Sequence, residues 1–120
     1  MHERISVLAR NGKTIVLVDV SDCSARKVEQ IAREVPEHVT RQPRGSVLLL
    51  TDFTGASIDQ EALIAIKETA VFDKPYIRKA AWVGAKHFPG AFFEELRKFS
   101  RREFPSFETR DDALTWLAKD

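Results

Sequence analysis

The sequence predicts an α/β protein with a mixed β-sheet, an opening β-hairpin and about four covering helices, in the order ββαβαβαβα. Residues 15–20 and 47–53 are dense in apolar and β-branched side chains, which is typical of buried strands. The segments between strands repeat apolar residues every three or four positions, as helices do. Because strands and helices alternate after the hairpin, we expect mainly parallel pairing.

Chain length, composition and net charge limit the classes of function that we expect. A single domain spanning residues 1–120 fits the usual size of one core. Nineteen Lys and Arg balance eighteen Asp and Glu, so the net charge of +1 gives no strong attraction to nucleic acid, and we expect no such partner. The single cysteine, Cys23, favours a reducing compartment. Without a signal peptide or a run of about 20 apolar residues, we expect a cytoplasmic protein with no transmembrane segment.

The opening hairpin is predicted from residues 5–9 and 14–20, two strand-like runs that flank Asn11-Gly12. Both turn residues tolerate the positive φ that a tight hairpin turn requires. The second run is the more apolar, so we expect it nearer the centre of the sheet.

The first helix follows, with Asp22 or Ser24 capping its N-terminus. Pro36 interrupts the apolar periodicity, because proline lacks the N–H that a helix needs and clashes with the preceding turn. We therefore expect the helix to end near Glu34, or a second short turn to begin at the proline. The apolar stripe comprises Val28, Ile31, Ala32 and Val35.

The strand at residues 47–53 leads into a second helix. Ser57 and Gln60 have the spacing of a capping box, and Asp59 lies where the helix dipole favours negative charge. Pro75 stops this helix.

The remaining elements are a strand at residues 76–85, a helix that Pro89 opens, a short strand at residues 104–107 and a last helix capped by Thr109. We expect four apolar residues to cover the inner face of the third helix. They are Phe92, Phe93, Leu96 and Phe99.

Four segments resemble the SpoIIAA-like family, also described as STAS/SEC14-like domains, over nearly the whole chain. They are residues 15–20 (IVLVDV), 45–52 (GSVLLLTD), 74–84 (KPYIRKAAWVG) and 107–117 (FETRDDALTWL). The resemblance implies a STAS-like α/β fold. It also implies a largely uncharacterised function. Because no G-x-S-x-G, Walker A or Rossmann motif occurs, our leading hypothesis is a non-enzymatic regulatory domain that binds a protein partner, without a cofactor.

Anti-sigma-factor antagonists of this fold carry a phosphorylatable serine at the start of the helix after the third strand, in a motif close to Asp-Ser-Ser-Gly. Residues 56–60 read ASIDQ here, so the phosphoacceptor position meets Ser57, Ile58 or Asp59. Ser57 is therefore a candidate phosphoacceptor. The alternative is that its hydroxyl only caps the helix.

The corner around this serine is the expected contact surface for a protein partner, as a flat mixed patch. Its residues are Asp52, Phe53, Thr54, Ser57, Ile58 and Asp59.

An apolar ligand or lipid held under the helices is the second functional hypothesis, and the SEC14 part of the family description suggests it. Such a protein should have a cavity lined by aromatic residues of the fourth strand and third helix. The candidates are Trp82, Phe88, Phe92 and Phe93, which core packing alone also explains.

Acidic residues form a third candidate site. Asp19 and Asp52 end neighbouring predicted strands, so they can converge at one edge of the sheet, with Asp22 and Lys86 nearby. The arrangement resembles the Mg²⁺ site of response-regulator receivers, whereas turn chemistry is the simpler explanation. The opening hairpin argues against a receiver.

No other pattern indicates a site. The basic residues Arg97, Lys98, Arg101 and Arg102 form a helical strip that we interpret as solvated. His2, His38 and His87 lack metal-ligand spacing, so no metal site is expected. Two tryptophans and eight phenylalanines leave a homodimer open.

Overall fold

The structure is a computed structural model and describes residues 4–102 and 104–119. The strands are β1 (Ile5–Arg10), β2 (Lys13–Asp19), β3 (Val47–Asp52), β4 (Ile77–Val83) and β5 (Ser106–Phe107). The helices are α1 (Ala25–Val39), α2 (Gln60–Asp73), α3 (Gly90–Ser100) and α4 (Arg110–Ala118), with a 3₁₀ turn over Lys74–Tyr76. The predicted order ββαβαβαβα is confirmed. The third, fourth and fifth strands are each shorter than predicted.

The five strands of the described residues form one sheet in the order β1-β2-β3-β4-β5. β1 pairs antiparallel with β2, and every later pairing is parallel. Arg10 lies opposite Lys13, with Asn11 at φ 53° and Gly12 at φ 76° between them. The predicted hairpin is thus confirmed, as is the positive φ of its two turn residues on which the prediction rested.

Helices cover both faces of the sheet. Val16 and Val18 of β2 point into the core beneath α1, α2 and α3, whereas Ile15 and Leu17 point into a second core beneath α4. Successive residues of a strand face opposite sides, so a strand covered on both sides must be apolar throughout. No helix in the described part of the chain is long and apolar enough to cross a membrane.

The expectation that α1 ends near Glu34, or restarts at the proline, is wrong. Pro36 lies inside a continuous helix whose N-terminus is capped by Ser24. The carbonyl of Ala32 would normally accept the N–H that proline lacks. The Thr69 hydroxyl of α2 donates to this oxygen instead, at 3.1 Å. The neighbouring helix therefore satisfies the acceptor that the proline leaves open.

The prediction that Ser57 and Gln60 form a capping box is also wrong. Asp59 caps α2, and its Oδ1 accepts the N–H of Ala62 at 2.8 Å. The N–H of Ser57 instead donates to the carbonyl of Cys23 at 3.0 Å. That bond ties the loop before α2 to the loop after β2, so the helix begins later than the spacing suggests.

The end of α3 differs from expectation in two ways. Phe99 is 56% exposed, because the inner face follows Phe92, Leu96 and Ser100 at four-residue spacing. Arg101 adopts the left-handed conformation at φ 56°, which ends the helix, and Arg102 turns inward. The predicted basic strip is therefore broken.

We expect Thr69→Val to lower the free energy of unfolding by about 1–3 kcal/mol, because it leaves the buried Ala32 carbonyl without a donor. Urea denaturation measures this loss. In a Pro36→Ala background the restored N–H can reach the same oxygen, so the loss should shrink by about 1 kcal/mol. Thr14→Val, at an exposed strand position, is the control. An equal loss in both backgrounds would contradict this account.

Candidate functional site

Two acidic residues meet at the carboxyl edge of the sheet, as the sequence suggested. Asp19 and Asp52 are register partners on β2 and β3. Each carboxylate accepts the backbone N–H and the hydroxyl of the residue two positions on, Ser21 in one case and Thr54 in the other, at 2.6–3.0 Å. The two loops thus repeat one turn motif.

Arg110, the first residue of α4, lies between the two carboxylates. Its Nε donates to Asp52 at 2.6 Å, and its Nη2 is 3.1 Å from Asp19. Burial alone would raise the pKa of Asp19, but hydrogen bonds from Ser21 and Arg110 outweigh it and the pKa is lowered. The pKa of Arg110 is raised despite partial burial. Its hydrogen bond to Asp52 has the largest effect, and its hydrogen bond to Asp19 adds to it. This cluster is an ion pair that holds α4 on the sheet.

The receiver hypothesis gains no support. Arg110 already neutralises the convergent carboxylates, Lys86 pairs with Glu108, and Asp22 lies at an exposed turn against Gly55. Within residues 4–102 and 104–119, no group of three or more His, Cys, Asp or Glu side chains is placed to hold a metal ion; His2 lies outside those residues.

The corner predicted as a partner surface is only partly exposed. Phe53 is 2% exposed, and its ring packs edge-on against Trp82 at 4.7 Å. Asp52 is buried in the Arg110 ion pair, Ile58 is half-buried, and three others of the six predicted residues are exposed. These are Thr54, Ser57 and Asp59. Ser57 lies outside α2, before its capping residue, and its phosphorylation stays a prediction.

The aromatic residues proposed to line an apolar pocket pack against one another. The ring centroids of Phe88 and Phe92 are 5.3 Å apart, those of Phe92 and Phe93 are 5.4 Å apart, and Trp82 lies 5.9 Å from Phe92. These distances are typical of direct ring contact. The space beneath α3 is therefore filled.

A cavity of about 60 Å³ lies instead between the sheet and helices α1 and α2. Its walls are mostly apolar, and Trp82 is the one predicted pocket residue that reaches them. The lining includes Val18, Leu49, Val28, Val35, Ile66, Ala70 and Phe104.

Two charged side chains also line this cavity. Asp73, the last residue of α2, is 1% exposed, and neither carboxylate oxygen has a hydrogen-bond partner among the described residues. Arg102 donates through Nη1 to the carbonyl of Ala70 at 2.8 Å, while its buried Nη2 has no partner there. Its guanidinium stacks 4.7 Å from the ring centroid of Phe104.

Burial determines the protonation of both groups. It raises the pKa of Asp73 to about 7, although the nearby Arg102 cation opposes the change. It also lowers the pKa of Arg102 to about 10. This value is still well above 7, so the guanidinium stays charged at neutral pH. Strong pKa perturbation by burial beside a specific charge is typical of functional sites.

Comparison with known proteins addresses the fold. Neither a family model nor a curated protein matches the sequence. The chain is similar to a crystal structure of an uncharacterised protein of the DUF3478 family from Shewanella loihica PV-4, described as having a SpoIIAA-like fold. The two share 17% identity with a TM-score of 0.70, over 95% of this chain and 92% of that chain. The chain has a SpoIIAA-like fold.

Sequence reasoning missed the charged pair inside this SpoIIAA-like fold. Arg102 was interpreted as part of a solvated strip, and Asp73 was not among the candidate residues. One signal was present. An acidic residue at a helix C-terminus faces the negative end of the dipole, which is unfavourable without another reason for its presence.

We expect Asp73→Asn to alter how stability depends on pH. The folded protein keeps a proton on Asp73 up to about pH 7, whereas the unfolded chain releases it near the ordinary value of 3.8. Wild-type stability should therefore fall, relative to the variant, as pH rises from about 4 to about 7, by at most about 4 kcal/mol.

Denaturation of both proteins across this pH range measures the difference, in which the other titrating groups largely cancel. Asp112→Asn, at an exposed position of α4, is the matched control. Parallel stability curves for wild type and Asp73→Asn would contradict the assignment.

Proposed function

We propose that this protein is a cytoplasmic, non-enzymatic binding module that holds a small, largely apolar ligand in the cavity between the sheet and helices α1 and α2. One observation carries the proposal: Asp73, on the wall of an apolar cavity, is only 1% exposed, and neither of its carboxyl oxygens has a hydrogen-bond partner among the described residues.

The energetics favour an occupant. A carboxyl group buried without hydrogen bonds is costly in either protonation state, and native proteins rarely leave such groups unsatisfied. The Arg102 cation offsets part of this cost by its charge, yet both residues line the cavity and each has polar atoms without a hydrogen-bond partner among the described residues. Apolar walls with a few convergent polar groups are the usual composition of a small-molecule site.

Two lining residues separate the cavity from the protein surface. Arg102 and Phe104 also line a larger surface groove of about 640 Å³, which Lys74, Arg78 and Trp116 help to form. Their stacked side chains therefore stand between the cavity and the groove. A ligand longer than the cavity can extend past them.

Filling the cavity tests the function. Ala32, on the α1 wall, becomes leucine in one variant, and the exposed Ala91 of α3 becomes leucine in the control. We expect xenon, which occupies dry apolar cavities, to shift the NMR signals of Val18, Leu49 and Ile66 in wild type and in Ala91→Leu but not in Ala32→Leu.

Native mass spectrometry of the protein from its own host complements this probe. A bound compound should be present in wild type and in Ala91→Leu, and absent from Ala32→Leu. Absence of both xenon shifts and a bound compound in wild type would overturn the proposal.

Binding of a protein partner is the second candidate function, and exposed apolar residues near the ends of α2 and α3 favour it. Val71, Phe72 and Phe99 are 43%, 58% and 56% exposed. Lys67 lies over the Phe99 ring at 5.5 Å, which brings the two helix surfaces together. Exposed apolar clusters of this kind are typical of interaction surfaces. This surface is separate from the corner around Ser57.

A photo-crosslinking residue placed at Phe99 tests this candidate in the native host. We expect a discrete cross-linked product that a second change, Phe72→Ser, removes. The same cross-linker at Thr14, an exposed residue of β2, is the control. Equal products from both positions, or a product insensitive to Phe72→Ser, would contradict binding at this surface.

A further inference from the structure

We propose that the open edge of β4 binds an acidic segment of a protein partner in extended conformation, which adds to the sheet as a further strand. This peptide site is independent of the cavity, because it uses the sheet edge and the surface groove beside it. It is also separate from the exposed apolar residues of α2 and α3.

The last strand of the sheet covers only the end of β4. β4 runs from Ile77 to Val83, whereas β5 pairs with Trp82 and Val83 alone. Residues 77–81 therefore have β3 on one side and, among the strands that the structure describes, no neighbour on the other. An open strand edge presents backbone N–H and carbonyl groups with which another strand can pair.

A proline explains why the pairing with β5 stops. The N–H of Trp82 donates to the carbonyl of Pro105 at 2.9 Å. In a parallel ladder, the residue that accepts this bond donates its own N–H to the carbonyl two positions earlier, which is that of Ala80. Pro105 has no N–H, so this second bond cannot form. The next position of the ladder is therefore open to a donor from another chain.

The backbone of Ala80 points to this open side. The carbonyl of Val83 accepts from Phe53 on the β3 side. The N–H groups of Trp82 and Gly84 donate to the β5 side instead. Because backbone groups of alternate residues point to opposite edges of a strand, those of Ala80 share the β5 side with Trp82. Among the described residues, neither group has a partner on that side.

The charge of the adjacent groove favours an acidic segment. Lys74, Arg78 and Lys79 line this groove of about 640 Å³ together with apolar residues, and no acidic residue lines it within the described part of the chain. Lys74 and Arg78 are exposed, and neither forms an ion pair with a described residue. Cations on an open edge deter neutral and basic strands, so carboxylate side chains are the complementary ones.

A second copy of this chain is disfavoured as the occupant. Two copies joined through the same edge would place the cationic β4 edges side by side. Like charges that lie opposite each other on neighbouring strands are destabilising. A partner segment with carboxylates has the opposite charge and avoids this repulsion.

Three capped heptapeptides test strand addition by NMR titration. The first alternates glutamate with valine, and the second alternates lysine with valine. The third is the glutamate peptide with alternate backbone nitrogens methylated, which removes the N–H groups that a ladder needs. We expect the glutamate peptide to bind in the millimolar range, as so short a segment allows, and the other two at least about tenfold more weakly.

Amide hydrogen exchange of the protein measures the ladder itself. In the free protein, we expect the N–H of Ala80 to exchange faster than that of Ala81, which points towards β3. The bound glutamate peptide should slow the exchange of Ala80.

Reversing one charge should reverse the preference. In Arg78→Glu, we expect the glutamate peptide to bind about tenfold more weakly than to wild type and the lysine peptide to become preferred. Lys74→Glu, outside the sheet, gives the same test if Arg78→Glu does not fold. Arg26→Glu, the same change at an exposed position of α1, should keep the wild-type order.

Each contrary outcome overturns a stated part of the proposal. Equal affinity for the glutamate and lysine peptides overturns the acidic class. Equal binding of the methylated peptide, or unchanged exchange of Ala80 in the complex, overturns strand addition. Absence of binding by all three peptides, or self-association that excludes them, overturns the site as a whole. Xenon binding tests the cavity separately, so the ligand-binding function stands or falls on its own result.

Discussion

Burial of β2 and β3 on both faces is the constraint on which the rest of the structure depends. Their apolar residues face two separate cores, so helices must cover both sides of the sheet. Within the described part of the chain, three helices cover one side and α4 covers the other. A single short helix has little apolar surface of its own, and the Arg110 ion pair with Asp19 and Asp52 fixes its first turn to the carboxyl edge of the sheet.

Two buried carboxylates show how differently this fold treats charge. Asp52 is 5% exposed and receives Arg110 together with the N–H and hydroxyl of Thr54. Asp73 is 1% exposed, and no residue that the structure describes donates a hydrogen bond to its carboxyl oxygens. The chain can thus satisfy a buried carboxylate with its own groups, as it does at one end of the sheet. This contrast makes the bare oxygens of Asp73 informative, because buried polar groups without partners need a specific explanation.

The sequence was a good guide to elements that local rules determine. Asn11-Gly12 requires positive φ, so the hairpin followed from two residues, and Thr109 caps α4 as its position indicated. The failures came from contacts between distant segments. Thr69 allows Pro36 to remain in α1, and the bond from Ser57 to Cys23 delays the start of α2. No local pattern carries that information.

The candidate site shows the same division. The convergence of Asp19 and Asp52 followed from strand order, because parallel strands end at the same edge. The role of Arg110 depends on how α4 docks, and the burial of Arg102 depends on the left-handed turn at Arg101, so neither could be read from spacing.

Two polar residues of the cavity, Thr69 and Asp73, lie on one stretch of α2 that also stabilises the fold. Thr69 and Asp73 are four residues apart and share a helix face, and the Ala70 carbonyl between them accepts from Arg102. The Thr69 hydroxyl donates to the Ala32 carbonyl, and Nη1 of Arg102 donates to the Ala70 carbonyl. The carboxyl oxygens of Asp73 and Nη2 of Arg102 have no hydrogen-bond partner among the described residues, and both residues line the same cavity. A stretch built only for packing would place apolar side chains there, since buried charged groups seldom add stability over well-packed apolar residues. We therefore attribute Asp73 and Arg102 to the proposed ligand-binding function rather than to the needs of the fold.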